Sequence, residues 1–245
     1  MIKKIYPEIV IAGGLVKALN LSLEKNNSSF LCIENNLFGE TNLTSAILKN
    51  KNHSSQIYIA SEKKLYLFDF WENGVCLGFG KINDIHSLTR IIDYWLRCDL
   101  TIKDLIEKYS FISANEIANS YYDNKEVEYQ WNKILKDDYI TQVGLIEFVE
   151  LAIKDEILSK LFPFTSMTTL RFSRCTGFPY TNDTPTVTPI GNKSFKVNST
   201  FEIDNDENYL GKGTAIEVLK IVKNNLPYNI SPAVKGTAND CKLDK

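Results

Sequence analysis

Short alternations of apolar and polar residues, typical of β-strands, stand out in the first half of the chain. They predict strands at Gln56–Ala60, Lys64–Trp71 and Val75–Gly80. Asn73-Gly74 between the last two indicates a two-residue hairpin turn, because both positions favour positive φ. The segment Leu65–Trp71 is apolar on both faces, whereas a meander with helices on one face should have one polar face. The pattern predicts an antiparallel meander whose second face is covered by the rest of the chain or by a partner.

Helical spacing of apolar residues predicts helices before and after this meander. A helix over Glu8–Lys25 is expected although Gly13-Gly14 weakens it. Asp84 is a favourable N-cap for a following helix whose apolar stripe ends at Leu96. The polar stretch before the meander predicts a long loop or a short helix around Ser45–Lys49. Two further predictions are a strand at Ser29–Ile33 and a short helix opened by a capping box of Thr101 and Asp104.

The second half of the chain repeats the order of helix, strands and helix. Residues 141–161 are apolar nearly all round and predict one long buried helix. Pro163 is expected to end it, because proline lacks an N–H and disfavours helix at the residue before it. Thr168–Arg174 follows as a half-buried strand. The remaining predictions are a connecting helix with Val127, Trp131 and Leu135, strands at Pro185–Ile190, Ser194–Asn198 and Thr200–Ile203, a turn at Gly191-Asn192, a last helix opened by Thr214 and Glu217, and a loose tail over Pro227–Lys245.

These elements predict an α+β fold with two helix-flanked antiparallel β-meanders joined by a helical connector. The expected division is an N-terminal α+β half at residues 1–112, the connector at 113–140, and a C-terminal α+β half with the loose tail at 141–245. The shared order of elements suggests a pseudo-duplication, although no residue repeat aligns. Whether the halves form one domain or two stays open at this point.

Residues 161–177 are the richest stretch in candidate chemistry, with hydroxyls, two arginines and a cysteine. Guanidinium groups bind carboxylate or phosphate through paired hydrogen bonds, so one hypothesis is an anion pocket. The alternative is a surface arginine, an arginine paired with a buried carboxylate, and hydroxyls that cap a turn, because structural ion pairs are common where charges cluster. The pocket would consist of Thr165, Ser166, Arg171 and Arg174.

Strand alternation gives the two arginines different expectations. It places Arg171 and Ser173 on the polar face, so Arg171 is the better candidate for contact with a ligand. Arg174 falls on the apolar side and is expected in a structural ion pair. The arginine would also lower the pKa of the adjacent Cys175 thiol, although free cysteines are usually inert core residues. The ligand- or partner-binding candidates are therefore Thr165, Ser166, Arg171, Ser173, Arg174 and Cys175, and no catalytic residue is identified.

Charge and composition remove several classes of function. The formal net charge of −2 provides no basic field for nucleic acid or anionic lipid. No apolar run approaches the roughly 20 residues of a membrane span. The five cysteines lack paired spacing, which indicates reduced thiols and a cytoplasmic protein. We therefore expect a cytoplasmic protein that binds neither nucleic acid nor membrane.

Metal and cofactor sites are also not expected. His53 and His86 are the two histidines, and neither belongs to a zinc-binding spacing or a nucleophile motif. The acidic stretch 204–208 departs from a calcium loop, because it has no turn glycine and no distal glutamate. Leu210–Thr214 is better explained as the lead-in to a helix than as a phosphate loop. The sequence therefore predicts no metal and no cofactor.

Several short segments resemble an uncharacterised bacterial family that is labelled only as a natural-product-biosynthesis protein of unknown function. The resemblance implies no known reaction and no active-site residue. It extends over most of the chain, through Tyr6-Pro7-Glu8, Phe70-Trp71, Trp95-Leu96, Pro163-Phe164-Thr165-Ser166, Leu170-Arg171-Phe172-Ser173, Gly177-Phe178-Pro179 and Pro232-Ala233-Val234-Lys235-Gly236-Thr237-Ala238.

The leading hypothesis is a non-enzymatic protein-binding protein. It would be an accessory factor of a natural-product or toxin gene cluster, with an immunity protein that neutralises a toxin as one form. The partner would then be a toxin or a biosynthetic enzyme, and a homodimer is a further option. The alternative is an enzyme of unrecognised class in natural-product biosynthesis that uses an anion-binding pocket near Arg171, Arg174 and Cys175.

Overall fold

The computed structural model describes residues 2–34, 44–97, 100–200 and 208–241 of the 245-residue chain. The chain divides into two units, Met1–Ala118 and Asn119–Lys245. The first contains a six-stranded antiparallel sheet and the second a five-stranded one, and in both the strand order follows the sequence. Helices precede and follow each sheet along the chain. The prediction of an α+β fold with two helix-flanked antiparallel meanders is confirmed.

The first unit begins with helices, continues through the meander, and ends with helices and an edge strand. Its elements are α1 (Ile2–Ile5), α2 (Pro7–Ala12), α3 (Leu15–Lys25), β1 (Ile33–Glu34), β2 (Ser45–Asn50), β3 (His53–Ile59), β4 (Tyr66–Glu72), β5 (Val75–Ile82), α4 (Ile85–Arg97), α5 (Ile102–Lys108) and β6 (Ile112–Ala114). The three strands predicted from alternation correspond to β3, β4 and β5.

The core of the first unit lies between one face of the sheet and the helices α3 and α4. Alternate residues Tyr66, Phe68 and Phe70 of β4 face this core, because a strand presents every second side chain to one side. The rings of Phe70 and Trp95 are 5.5 Å apart. Gly80 on β5 makes room for Phe68, since a Cβ atom there would lie 2.6 Å from the ring.

The turn and the helix caps predicted for the first unit are confirmed. Asn73 and Gly74 have φ of 49° and 78°, as the predicted hairpin turn requires. Asp84 accepts a backbone N–H at the start of α4 over 2.7 Å. Thr101 and Asp104 form the predicted capping box of α5. These interactions join residues at most three positions apart, so they can be recognised without the rest of the fold.

Three predictions for the first unit need correction. The helix expected over Glu8–Lys25 is broken at Gly13-Gly14, whose φ values of 83° and 131° end α2 before α3 begins. The segment Ser45–Asn50, expected as a loop or short helix, is strand β2, and its alternate side chains are buried. The strand predicted at Ser29–Ile33 is reduced to β1. Residues 35–43 of the polar stretch lie outside the described residues.

The second unit places its helices before and after its meander. Trp131, Phe148 and Phe172 belong to its core, where α7, α9 and α10 pack together with the sheet. Its elements are α6 (Ile117–Tyr122), which crosses the boundary between the units, α7 (Glu126–Leu135), α8 (Asp138–Gln142), α9 (Ile146–Ala152), a 3-10 turn (Leu158–Lys160), β7 (Phe162–Ser166), β8 (Thr169–Ser173), β9 (Thr186–Gly191), β10 (Ser194–Asn198), β11 (Tyr209–Gly213) and α10 (Ala215–Asn224).

The long helix predicted over residues 141–161 is instead divided into α8, α9 and the 3-10 turn. Gly144 adopts φ of 81° between α8 and α9, a conformation that ends an α-helix. Asp155 accepts two backbone N–H groups at 3.0 Å each and starts the 3-10 turn. The apolar residues of this segment are buried or partly buried, as predicted, but Gly144 and Asp155 interrupt the helix, so it consists of short elements.

Strands β8, β9 and β10 and the capping box of α10 agree with the sequence patterns. Glu217 accepts the Thr214 N–H over 2.8 Å at the start of α10. Leu210–Thr214, interpreted as the lead-in to this helix, lies mostly in strand β11 (Tyr209–Gly213), which pairs with β10. The acidic stretch 204–207 and most of the strand predicted at Thr200–Ile203 lie outside the described residues.

The segment predicted as a loose tail is tied into the second unit as far as it is described. The Ala233 N–H donates to the carbonyl of Lys160 over 2.9 Å, and the Ala238 N–H donates to that of Pro179 over 2.7 Å. The division at residues 112 and 140 stays a prediction about domains. In the structure, Trp131 from the predicted connector is part of the second core.

Candidate functional site

The candidate residues lie on or directly after the hairpin of β7 and β8, at one edge of the five-stranded sheet. Pro163 lies inside β7 and does not end a helix as predicted. An edge strand accepts proline, because the missing N–H can face away from the ladder. Met167 in the tight turn has φ of 53°. Residues 161–177 therefore form a hairpin and a following loop, which differs from the expected junction of helix and strand.

Strand register separates two of the predicted anion ligands. Ser166 and Arg171 share one face of the hairpin, while Thr165 lies on the other face with its cross-strand partner Leu170. Leu170 is buried in the core, and Thr165 is exposed near the end of its strand. The structure therefore places Thr165 and Arg171 on opposite sides and does not gather the predicted pocket on one face.

The loop of residues 174–184 folds back over the face that carries Arg171. Tyr180 from this loop lies 4.4 Å from Phe164, measured between ring centres. The Arg171 guanidinium is 4.9 Å from the centre of the Phe164 ring and donates a hydrogen bond to Asn182. Burial lowers the pKa of Arg171, but an arginine remains protonated in proteins. The result is a half-buried cation held between an aromatic ring and a loop amide.

Arg174 forms an ion pair with Asp183 over 2.7 Å, and their side chains are 15% and 26% exposed. The backbone N–H of Arg174 donates to Thr181 at 3.0 Å. Both contacts join the end of β8 to the far end of the loop. Arg174 therefore holds the loop in place. This agrees with the expectation that it belongs to a structural ion pair and not to a ligand site.

Ser173 was expected on a solvent-facing strand face, and this expectation is wrong because the loop covers it completely. Its hydroxyl donates to the carbonyl of Cys175 over 2.7 Å. It accepts the N–H of Cys175 at 3.0 Å and that of Thr181 at 3.2 Å. One donor and two acceptor positions are the full capacity of a serine hydroxyl. Ser173 thus holds the two ends of the loop together.

Cys175 is fully buried and lies at a crossing of two chain segments. It forms a parallel bridge with Val234. Its Sγ is 3.5 Å from the carbonyl oxygen of Gly177, and the Sγ of Cys241 is 3.8 Å from the carbonyl oxygen of Arg174, the residue directly before Cys175. No sequence spacing connects these two cysteines, so their meeting was not predicted.

A cavity of about 530 Å³ lies in the second unit, partly walled by the segment that follows α10. Trp131 and Ile153 provide apolar surface, and the charged lining consists of Lys125, Lys160 and Glu128. Its size is within the range of small-molecule pockets. Pro232 and Ala233 form part of its wall, and the hydrogen bond from Ala233 to Lys160 fixes that wall.

The outer face of the six-stranded sheet, defined as the face opposite α3 and α4, is the second surface of interest. Leu67 and Phe79 on neighbouring strands are 41% and 50% exposed there. Asp69, paired with Phe79, shares this face, and burial raises the pKa of its carboxyl to about 6. None of the described residues covers these two apolar side chains completely, so cover by a partner, the other option given by the sequence pattern, stays a prediction.

Metal-ligand clusters and helices able to span a membrane are both absent from the residues that the structure describes. No group of three or more His, Cys, Asp or Glu side chains there is arranged to hold a metal ion. None of the described helices is long and apolar enough to cross a membrane.

The fold and these surfaces define an α+β protein of two sheet-containing units. Within it, residues 125–237 match the sequence model of DUF6193, a family of unknown function. The matched range includes the β7–β8 hairpin and the loop that covers it, while Tyr6–Glu8, Phe70-Trp71 and Trp95-Leu96 lie outside it. No curated protein and no solved structure gave a match to the chain.

Proposed function

We propose that this protein is a non-enzymatic protein-binding protein that uses the outer face of its six-stranded sheet. The observation that carries the proposal is the exposure of Leu67 and Phe79 on that face, at 41% and 50%. Trp71 and Tyr58 lie on the same face and are half-buried. Contiguous apolar surface on a sheet face is typical of a protein interaction site.

Charge on the outer face favours an acidic partner. Lys49 and Lys81 are exposed on it, as the register with Ser54 and Leu67 shows. Asp69 carries about half a negative charge near pH 6, because burial raises its pKa to about that value. A partner with an apolar centre and carboxylates around it would be complementary in charge, which favours encounter and correct orientation.

The biological setting follows from the resemblance. We propose an accessory role in a natural-product or toxin gene cluster, with a toxin or a biosynthetic enzyme as partner and with toxin immunity as one form. The match of residues 125–237 to a family of unknown function is compatible with this role. The enzyme alternative receives less support, since Arg174 is paired with Asp183 and Cys175 is buried.

The test measures binding to the purified products of the genes that neighbour this one. The double variant Leu67→Ala/Phe79→Ala removes the exposed apolar centre, and Ile216→Ala removes a similarly exposed apolar side chain, 61% exposed, from α10. We expect one product to bind the wild type and the Ile216 variant equally, and the double variant at least about tenfold more weakly. Lys81→Glu should also weaken binding, whereas Lys212→Glu in β11 should not.

Three results would contradict the proposal. Equal affinity of all variants would remove the outer face from the interface. Stronger binding by Lys81→Glu would show that the partner is basic. Self-association of the free protein that is abolished by the double variant would identify a second copy as the occupant. An immunity role additionally requires that co-expression protects cells from the neighbouring toxin.

A further inference from the structure

Two free thiols meet beside the loop that covers the β7–β8 hairpin. Cys175 and Cys241 are 66 positions apart in sequence, yet the fold brings the Cys241 thiol to the peptide group that joins Arg174 to Cys175. Cys241 Sγ is 3.8 Å from the carbonyl oxygen of Arg174, the residue directly before Cys175. The two sulfur atoms are therefore placed together by the fold and not by local sequence.

Backbone hydrogen bonds fix this meeting point. Val234 donates to the carbonyl of Arg174 over 3.1 Å, and Thr176 donates to that of Val234 over 3.0 Å. The Gly177 N–H donates to the carbonyl of Gly236 over 2.8 Å. The chain then turns where Asp240 accepts the Thr237 N–H at 2.9 Å, which brings Cys241 back towards Arg174. A disulfide between them requires side-chain rotation that brings the two sulfur atoms to about 2 Å.

We propose that Cys175 and Cys241 are an oxidative modification site that closes to a disulfide with a peroxide as oxidant. The Cys241 thiolate attacks one peroxide oxygen and the O–O bond breaks, which gives a sulfenic acid and, after proton transfer, one water. Cys175 sulfur then attacks the Cys241 sulfur, and the S–O bond breaks. The departing hydroxide takes the proton of Cys175 and leaves as a second water.

Exposure assigns the order of the two thiols. Cys175 is fully buried, whereas Cys241 is half-buried and can be reached by a small oxidant. Burial and the neighbouring Cys175 raise the pKa of Cys241, with Asp240 adding to this effect and Arg174 opposing it. Because the thiolate reacts, oxidation is slow at neutral pH and faster in alkali. The disulfide would therefore form slowly at neutral pH.

The disulfide would bind the segment after α10 covalently to the loop that follows β8. That segment also supplies Pro232 and Ala233 to the wall of the 530 Å³ cavity. Oxidation would therefore fix both the loop over Arg171 and one side of the cavity. This inference is independent of the protein-binding role, because the outer face belongs to the other unit.

The experiment treats the full chain with hydrogen peroxide at pH 8, measures the intact mass, and then labels the remaining free thiols with a maleimide in denaturant. We expect the intact mass to fall by two hydrogens, two fewer of the five thiols to be labelled, and a peptide that links Cys175 to Cys241. Melting temperature should rise by about 5–10 °C and return after reduction. Repeating the reaction at pH 7 should give a slower rate.

Two single variants separate this site from general oxidation. Cys241→Ser changes the half-buried partner and should abolish the cross-link, while Cys76→Ser, a similarly half-buried cysteine in the first unit, should leave it unchanged. Retained cross-linking in Cys241→Ser would overturn the proposal. So would a wild-type product that only gains oxygen, or one whose linked peptide contains a different cysteine.

Discussion

At the scale of single residues, Asp69 combines burial with an ionisable group on the proposed contact face. It accepts the backbone N–H of Gln56 over 2.7 Å, which favours the charged form. Burial is the larger effect and raises the pKa of its carboxyl from the usual value near 3.8 to about 6. Folding therefore favours the protonated carboxyl, which makes stability depend on pH in a defined direction.

The first prediction concerns that pH dependence. Between about pH 4 and 6 the folded chain binds more protons at Asp69 than the unfolded chain does, so its stabilising contribution is lost as pH rises. Asp69→Asn keeps an oxygen acceptor for Gln56 and removes the titration. Relative to wild type, its unfolding free energy should increase by about 2–3 kcal/mol from pH 4 to pH 7. Urea denaturation at several pH values measures this difference.

Asp104 provides a control of opposite sign. Hydrogen bonds from Thr101 lower the pKa of this exposed carboxyl, so its contribution is present near neutral pH and is lost as pH falls. Asp104→Asn should therefore reduce stability at pH 7 and match wild type in strong acid. Parallel profiles for wild type and Asp69→Asn between pH 4 and 7 would show that Asp69 does not titrate in this range.

At the scale of elements, the loop of residues 174–184 is held to the β7–β8 hairpin by three kinds of contact. Ser173 binds its backbone, Tyr180 packs on Phe164, and Arg174 pairs with Asp183. The ion pair is mostly shielded from water, so it contributes more than an exposed pair would. The loop is thus a covering element with its own fastening.

The second prediction tests that fastening. Arg174→Ala leaves the Asp183 carboxylate without its cation and should reduce the free energy of unfolding by about 1.5–3 kcal/mol. This is less than the roughly 3–5 kcal/mol for a fully buried pair, because Asp183 keeps part of its water. Lys193→Ala, which removes the exposed pair with Glu147, is the matched control and should be close to neutral. Equal effects of the two changes in urea denaturation would contradict the fastening role.

How far each element could be predicted depends on the distance over which its determining contacts act. The turn at Asn73-Gly74 and the caps of α4, α5 and α10 were predicted, because neighbouring residues determine them. Strand β7 was missed, since only its position at a sheet edge makes Pro163 acceptable. Ser173 was placed on a solvent-facing side, and its burial depends on a loop whose contacts no local pattern encodes.

The candidate site was predicted in part for the same reason. Arg171 and Arg174 were recognised from residue type and alternation, but their partners Asn182 and Asp183 come from the far end of the loop. Cys241 was given no partner from the sequence, because a contact across 66 positions has no signature in spacing. The sequence therefore identified the candidate residues by type, but it did not predict which distant residues they contact.

At the scale of the whole molecule, each unit has its own sheet and its own buried core. Tyr66, Phe70 and Trp95 are buried in the first, and Trp131 and Phe172 in the second. A unit of about 120 residues is within the usual size of an independently folding domain. The division between them falls within the short helix α6.

The third prediction is that both units fold when expressed separately. The fragments are residues 1–118 and residues 115–245, the second extended so that α6 stays whole. Each should show a cooperative thermal transition and dispersed amide resonances, because each contains its own core. As a control, a fragment of residues 1–97 omits both α5 and β6, an edge of the first sheet, and should melt at a lower temperature. Failure of either full unit to fold alone would show that its core depends on the other.

The pairing of residues 174–177 with residues 234–236 also has a consequence for synthesis of the chain. Carbonyl groups of Lys160, Arg174 and Pro179 receive their N–H partners only from residues 233–238, which the ribosome makes much later. Until then, only the contacts between the loop of residues 174–184 and the β7–β8 hairpin hold the loop in place. The second unit is therefore closed by nearly the last of its described residues, and a nascent chain stalled before Pro232 would expose an unfinished edge to chaperones and proteases.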